Sequence, residues 1–237
     1  MYMMRNTFVF SSLLALLLWG QTGFAQLPGA YEEADFFEGT LTYSFSVKGP
    51  LGEQLQKTNP ISRMTMHLKE GNFIIHLYGE QNQGASEFRP DAFESTRLFI
   101  ADSNEMYTID TRNKRAFKGE KYTPDESEPP SAEFSGDSMR IQGYWCYSYV
   151  VKKPDETITY FCSPKIRANT AFFAQTDARA NFLTKGLRGM IPLMTIRQSR
   201  ERIIKIKCVQ VARRELGMSN FRIPPGFEVS PMYDYRR

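Results

Sequence analysis

The sequence predicts a mainly β protein of the α+β kind: a strongly curved antiparallel sheet or incomplete barrel, with one or two helices covering its concave face. Three observations predict it. Apolar residues alternate with polar ones in many short runs, the period of a half-buried strand. No regular strand–helix alternation occurs, which argues against a parallel, doubly wound sheet. Aromatics form 14% of the 237 residues and 13 prolines punctuate them, a mix that suits strands and turns better than a helical bundle.

The runs can be taken in order. "GTLTYSFSVKG" (39–49) puts Leu41, Tyr43, Phe45 and Val47 on one face. "SRMTMHLKEGNFIIHLYGE" (62–80) predicts a hairpin about Gly71-Asn72. "TRLFIADSNEMYTIDTRNKRAFKG" (96–119) predicts further strands broken at 102–104 and 112–113. "YWCYSYVVKKPDETITYFC" (144–162) predicts another hairpin, "GMIPLMTIRQS" and "RIIKIKCVQVARREL" two more strands, and "FRIPPGFEVSP" an end that closes the sheet. Residues 50–60 are a polar loop, and the acidic, Pro-rich stretch 119–138 an excursion. Residues 169–185, "NTAFFAQTDARANFLTK", lack alternation; Asn169 can cap and Gly186 can stop one helix there.

The chain opens with Arg5, an apolar run from Phe8 to Trp19, and small residues Gly23 and Ala25. That order is a secretory signal peptide over residues 1–25, leaving 26–237 as a single β-rich half-barrel domain. A membrane anchor is the alternative, but the apolar core falls short of the roughly 20 residues a span needs. The expected location is outside the cytoplasm: periplasmic, or associated with the outer membrane or cell surface. The net charge of +4 is mild and no nucleic-acid-reading motif accompanies it, so no nucleic-acid partner is expected.

Chemistry-bearing residues are few. A loop centred on Pro154 pairs residues whose numbers sum to 308, which sets Cys146 opposite Cys162. Opposed residues lie about 4.5–5.5 Å apart at Cα, inside the range of about 4.4–6.8 Å that a disulfide accepts. An exported chain meets an oxidising compartment, so Cys146–Cys162 is the disulfide candidate. Two buried free thiols are the alternative, and a half-residue shift of the loop centre would put them on opposite faces. Cys208, flanked by Ile204 and Ile206 at strand spacing, is a buried thiol. With Gly71-Asn72 as the turn, His67 lies opposite His76; two imidazoles alone make a weak metal site, and a polar sheet face is the better reading. No metal, cofactor or catalytic residue is assigned: the chain carries no GxSxG elbow, phosphate loop or HExxH. Lys185, Arg188, Arg197, Arg200, Arg202, Lys205, Lys207, Arg213 and Arg214 cluster against Glu201. Arg200, Arg202, Lys205 and Lys207 form a candidate basic patch for anionic lipid or an acidic partner, unless they are simply a solvated outer face.

A signal peptide, "FFEGTLTYSFSV", "MYTIDTRNKRAF", "GYWCYSYVV…ETITYFCSP", "GMIPLM" and "NFRIPPGFEVSPM" follow one another in an order that resembles secreted bacterial domains of unassigned function related to the periplasmic lipoprotein carriers LolA and LolB. The resemblance spans most of the chain after residue 25, in strand patterns rather than site signatures. It implies a half-barrel with helices plugging the concave side, where the carriers hold acyl chains. The hairpin cysteines and the long acidic loop depart from the carriers.

The expected function is therefore that of a non-enzymatic envelope protein binding a hydrophobic ligand, a lipid or acyl chain, or a protein partner such as a lipoprotein. The candidate lining is Leu41, Tyr43, Phe45, Phe73, Ile75, Leu77, Tyr147, Tyr149, Phe172 and Phe173. The alternative is a structural or assembly component of the cell surface with a fully packed sheet. A hydrolase in which His67 or His76 meets Ser or Asp comes third.

Overall fold

A computed structural model describes residues 36–50, 61–79, 94–119, 132–168 and 186–231, all within one compact unit, Asp35–Arg237. The strands are β1 (Gly39–Lys48), β2 (Ile61–Lys69), β3 (Asn72–Gly79), β4 (Glu94–Ile100), β5 (Glu105–Asp110), β6 (Arg115–Lys118), β7 (Glu133–Ile141), β8 (Tyr144–Lys152), β9 (Thr157–Arg167), β10 (Met190–Gln198), β11 (Ile203–Arg213) and β12 (Glu228–Pro231). They form one open, curved twelve-stranded sheet in the order β12-β6-β5-β4-β3-β2-β1-β11-β10-β9-β8-β7. Every pairing is antiparallel except β12 on β6.

The sheet is thus two meanders, β1–β6 and β7–β11, fused where the first strand meets the eleventh. The mainly β architecture agrees with the sequence. The tail adds a parallel edge strand at β6 and does not close the sheet. The covering helices are not seen among the described residues, where the helical element complete within them is a 3-10 turn, Met218–Phe221. The helix expected over 169–185 lies outside them. β7 starts inside the stretch read from sequence as an acidic excursion, of which 120–131 lie outside the described residues.

Cross-strand register sorts the side chains into two faces. Leu41 sits between Met66 and Val211, Tyr43 between Met64 and Cys208, and Phe45 beside Ile206. Met66 in turn opposes Ile75, Met64 opposes Leu77, and Leu68 opposes Phe73, which opposes Phe99. This apolar face carries the main core, with Leu41, Phe99, Leu193, Cys146 and Cys208 fully buried. The sheet curls toward it. The Tyr43 hydroxyl reaches across β11 to donate to the Pro192 carbonyl on β10, 3.1 Å away. It also feels the thiol of Cys146 on β8, four strands distant and about 19 Å off in a flat sheet. The opposite face is polar over β11, β1 and β2. It turns apolar over β3–β6, where Leu216, Phe221, Ile223 and Phe227 of the C-terminal arm cover Leu98, Tyr107, Ile109 and Ala116.

Two hairpin registers differ from the sequence expectation. In the first hairpin the turn is Glu70-Gly71, both with positive φ (49° and 85°), so Lys69 pairs with Asn72. Asn72 is unavailable for the turn because its side chain is spent elsewhere. Its Nδ2 donates to Lys69 O (3.2 Å) and its Oδ1 accepts from Ala101 N (2.9 Å), tying the hairpin to the β4–β5 corner. In the second, Pro154 occupies the first of two tip residues, where its fixed φ fits, and the Lys153 N–H closes the loop on Glu156 O at 2.8 Å. The centre therefore falls between Pro154 and Asp155, and Tyr147, not Cys146, opposes Cys162.

β1 is clamped to β11 at both ends by glycines. Gly39 has φ +142°, and a Cβ there would lie 2.1 Å from the Ala212 carbonyl oxygen; at Gly49, φ +104°, it would lie 2.5 Å from Glu201 O. Gly143 also has positive φ (+85°), but nothing stands within 4 Å. Gly39→Ala is expected to cost about 3 kcal/mol or more and Gly143→Ala about 1 kcal/mol. Urea denaturation of both variants checks it; equal losses would mean that the close approach at Gly39 does not constrain the fold.

Candidate functional site

The expected lining residues are divided by the structure. Leu41, Tyr43, Phe45 and Phe73 belong to, or pack against, the main cluster on the apolar face. Ile75 and Leu77 follow Phe73 along the same face of β3 and are half-buried. Leu41 (0% exposed) and Tyr43 (3%) are core, whereas Phe45, Met64, Met66, Phe73, Ile75, Leu77 and Ile206 are only partly covered. Those seven side chains form a continuous, half-open apolar strip across β11, β1, β2 and β3. Its two methionines and Ile206 are the residues that sequence reasoning missed. "RMTMH" shows the methionines at strand spacing, but their partners Leu41 and Tyr43 become visible only through the β1–β2 register. Methionine's unbranched, polarisable side chain adapts to irregular apolar ligands.

Tyr147 and Tyr149 do not join this strip. They form a separate cluster with Cys162, Leu187 and Met190, edged by Phe134 at ring-centroid distances of 6.3 and 6.0 Å. Phe134 and Trp145 beside them are exposed on the β7–β8 edge. Phe172 and Phe173 lie outside the described residues.

The expected Cys146–Cys162 disulfide does not form: Cys146, Cys162 and Cys208 are all free and fully buried. The one-residue shift of register separates the pair, placing Cys146 in the main core and Cys162 with Tyr147 and Tyr149. Burial pushes the thiols of Cys146 and Cys208 up to about 11 and that of Cys162 upward as well. All three are therefore protonated at neutral pH, and a protonated thiol is neither nucleophile nor metal ligand. Burial likewise raises the Tyr43 hydroxyl, with the three neighbouring thiols adding to the effect.

The histidine pair survives its change of register. His67 opposes Ile74 and His76 opposes Thr65, so the rings meet diagonally on the polar face, 5.6 Å apart and edge-on. The Nδ1 of His67 shares a hydrogen bond with Thr40 Oγ1, and the Nδ1 of His76 one with Thr96 Oγ1, each at 2.9 Å. Among the described residues no group of three His, Cys, Asp or Glu could hold a metal.

The candidate basic residues are placed as the alternation implies. Lys205 pairs with Ser46 and Lys207 with Ser44, opposite in direction to Ile204 and Ile206. Arg200 and Arg202 stand at the β10–β11 turn, beside an open cleft of about 620 Å³ shared with the β8–β9 loop. Arg197 spans these two hairpins, donating twice to the Glu156 carboxylate at 3.0 and 2.8 Å and holding it below the usual carboxylate range.

No family model matches the chain, and no curated protein matches it. Among solved structures, the chain is similar to PNGF-II in two crystal forms, with TM-scores of 0.44 and 0.40 and 13% identity. Each match covers 83% of this chain, which spans about a third (32%) of that one. It is similar also to LprF from Mycobacterium bovis, with a TM-score of 0.30, 12% identity, and coverage of 77% and 90% of the two chains. These likenesses are loose, and the site is read from this chain's own residues.

Thiol chemistry gives a direct check. Under non-reducing conditions Cys146, Cys162 and Cys208 are expected to resist iodoacetamide at pH 8 in the folded protein, and all three should label after unfolding in urea. Mass spectrometry counts the adducts; a species that gains only one adduct without reductant would restore a disulfide.

Proposed function

We propose that this is an exported, non-enzymatic envelope protein that binds a hydrophobic ligand, a lipid or acyl chain, along the apolar strip of its curved sheet. The observation that carries the reading is the half-open row Phe45, Met64, Met66, Phe73, Ile75 and Leu77, set beside the fully buried Leu41 and Tyr43. An apolar surface that its own fold covers only in part is where an apolar ligand gains most, at about 25 cal/mol per Å2 removed from water. Buried protonated thiols and threonine-bonded histidines favour a binding role over catalysis. The N-terminal pattern of Arg5, an apolar run and Ala25 supports export to the periplasm or cell surface.

A surface-assembly role is the second reading, favoured by the β7 edge. That strand is exposed along nearly its whole length, and Phe134, Met139 and Trp145 stand open beside it. In that reading the apolar strip is filled, and the edge recruits a partner.

Uptake of a fluorescent fatty acid separates the two. Met66→Glu, which sets a charge in the strip, is expected to weaken uptake at least about tenfold, the equivalent of 1.4 kcal/mol. Ser44→Glu on the opposite face should leave uptake unchanged, with the fold of both variants followed by circular dichroism. A wild-type protein that takes up no probe, or a Met66→Glu variant that is folded and binds normally, refutes the lipid reading.

A further inference from the structure

The C-terminal arm leaves β11 at Arg214 and crosses the polar face before covering Leu98, Tyr107 and Ile109. Two contacts fasten its start. The Leu216 N–H donates to Glu38 Oε1 at 2.7 Å, and Glu38 also pairs with Lys69 at 3.0 Å. The Arg214 guanidinium donates to Thr40 Oγ1 at 3.1 Å, and that hydroxyl lies 2.9 Å from His67 Nδ1.

The second contact has a direction. Thr40 is 9% exposed, so its hydroxyl proton needs an acceptor within the protein. Arg214 can only donate, which leaves the hydroxyl proton to go to His67 Nδ1, an acceptor solely when the imidazole is neutral. The chain then runs Arg214 N–H to Thr40 O–H to His67 Nδ1. A proton on Nδ1 makes His67 a donor as well. Thr40 would then face two cationic donors and lose the acceptor for its own proton.

We infer that His67 is a pH-sensitive latch for the C-terminal arm: neutral, it holds Arg214 through Thr40, and protonated, it releases the Arg214 anchor and loosens the arm's cover over the outer apolar cluster. The charged and titratable groups on this face fit that role. His76 stands on β3, 5.6 Å from His67, with Tyr78 beyond it under Arg63. Lys69 is neutralised by Glu38, with Glu70 and Glu215 also near it. Thr42 and Thr65 are uncharged. Of these groups, Arg214 and His76 act electrostatically on His67, and both favour its neutral form.

Burial, then His76, then Arg214, lower the His67 pKa from its ordinary 6.5. The unfolded or opened state therefore binds the proton more readily than the closed one. The latch is fully closed above about pH 6.5 and weakens as the pH falls below it. Glu38, held below its usual range by the Leu216 N–H and Lys69, stays charged through this window, so the Leu216–Glu38 anchor persists until lower pH.

Hydrogen exchange at Leu216, Asn220 and Phe221, corrected for intrinsic exchange, tests the latch. Between pH 7.5 and 5.5, opening in the wild type is expected to rise, by at most about the tenfold that one pH unit below the ordinary imidazole value allows, while His67→Asn, which keeps an acceptor but cannot charge, stays flat. A wild type that stays flat, or a His67→Asn variant with the same pH response, overturns the proposal. Arg214→Gln gives an independent reading: the ring titration of His67, followed by NMR, should move to higher pH. An unmoved midpoint means that the Arg214–Thr40–His67 chain does not form.

Discussion

Everything in this fold hangs on the pairing of β1 with β11. Each meander is local, but the main core is complete only when the first strand lies against the eleventh, since it takes Leu41 and Tyr43 from one and Cys146, Leu193 and Cys208 from the other. The contact between Thr40 and Arg214 closes 174 residues of chain. Closing a loop of that length costs about 4–5 kcal/mol beyond a constant term, and it must be met before Leu41, Tyr43 and Phe45 gain their neighbours on β11. Three features secure the junction. Gly39 and Gly49 allow backbone approach that no side chain would permit. A bulge lets Tyr43 face Cys208 while Thr42 faces Gln210. The Tyr43 hydroxyl then ties β1 to β10 beyond its neighbour. Long-range pairing of this kind makes for slow folding.

Strand positions were legible in the sequence because alternation is a local property. The runs at 39–49, 96–119 and 190–213 fall where strands form, and the breaks at 102–104 and 112–113 are turns. β7 was hidden because it is an edge strand with almost no buried side chain, and "EFSGDSMRI" carries no apolar period. Register was much less legible. The expected turn in each hairpin was close to the real one, and the error was one unit of the sum in one case and two in the other. Side chains alternate with period two. A two-unit error left His67 and His76 on one face, only moved to a diagonal. A one-unit error sent Cys146 and Cys162 to different faces. The candidate lining fared similarly: parity aligns its three residues within β1 and its three within β3, and two pairings through β2 relate those sets, whereas Tyr147 and Tyr149 had to be related to that face through four strand pairings.

The deciding residues were polar ones with fixed geometry. Asn72 has a turn residue's composition and a tether's job, and nothing within the hairpin itself signals the Ala101 amide it accepts from. Pro154 fixes its own φ, while the Lys153 N–H closes the loop on Glu156 O and Arg197, from outside the hairpin, holds the Glu156 carboxylate. Hydrophobic pattern says which residues want cover; hydrogen-bond partners far along the chain decide which cover they receive.

The three thiols show how far burial can substitute for covalency. A chain with an odd set of cysteines is open to mispairing wherever thiols oxidise as it folds. Here each thiol is fully buried, two sit in one cluster and the third in another, and their protonated state removes the thiolate that exchange requires. Cys146 and Cys208 pack with Leu193, Met194 and Ile191 in the main core, and Cys162 packs with Leu187, Met190 and Tyr149 in the other cluster. The β1–β11 junction thus covers Cys208 as well as the core: without it, Cys208 would stand on an open strand.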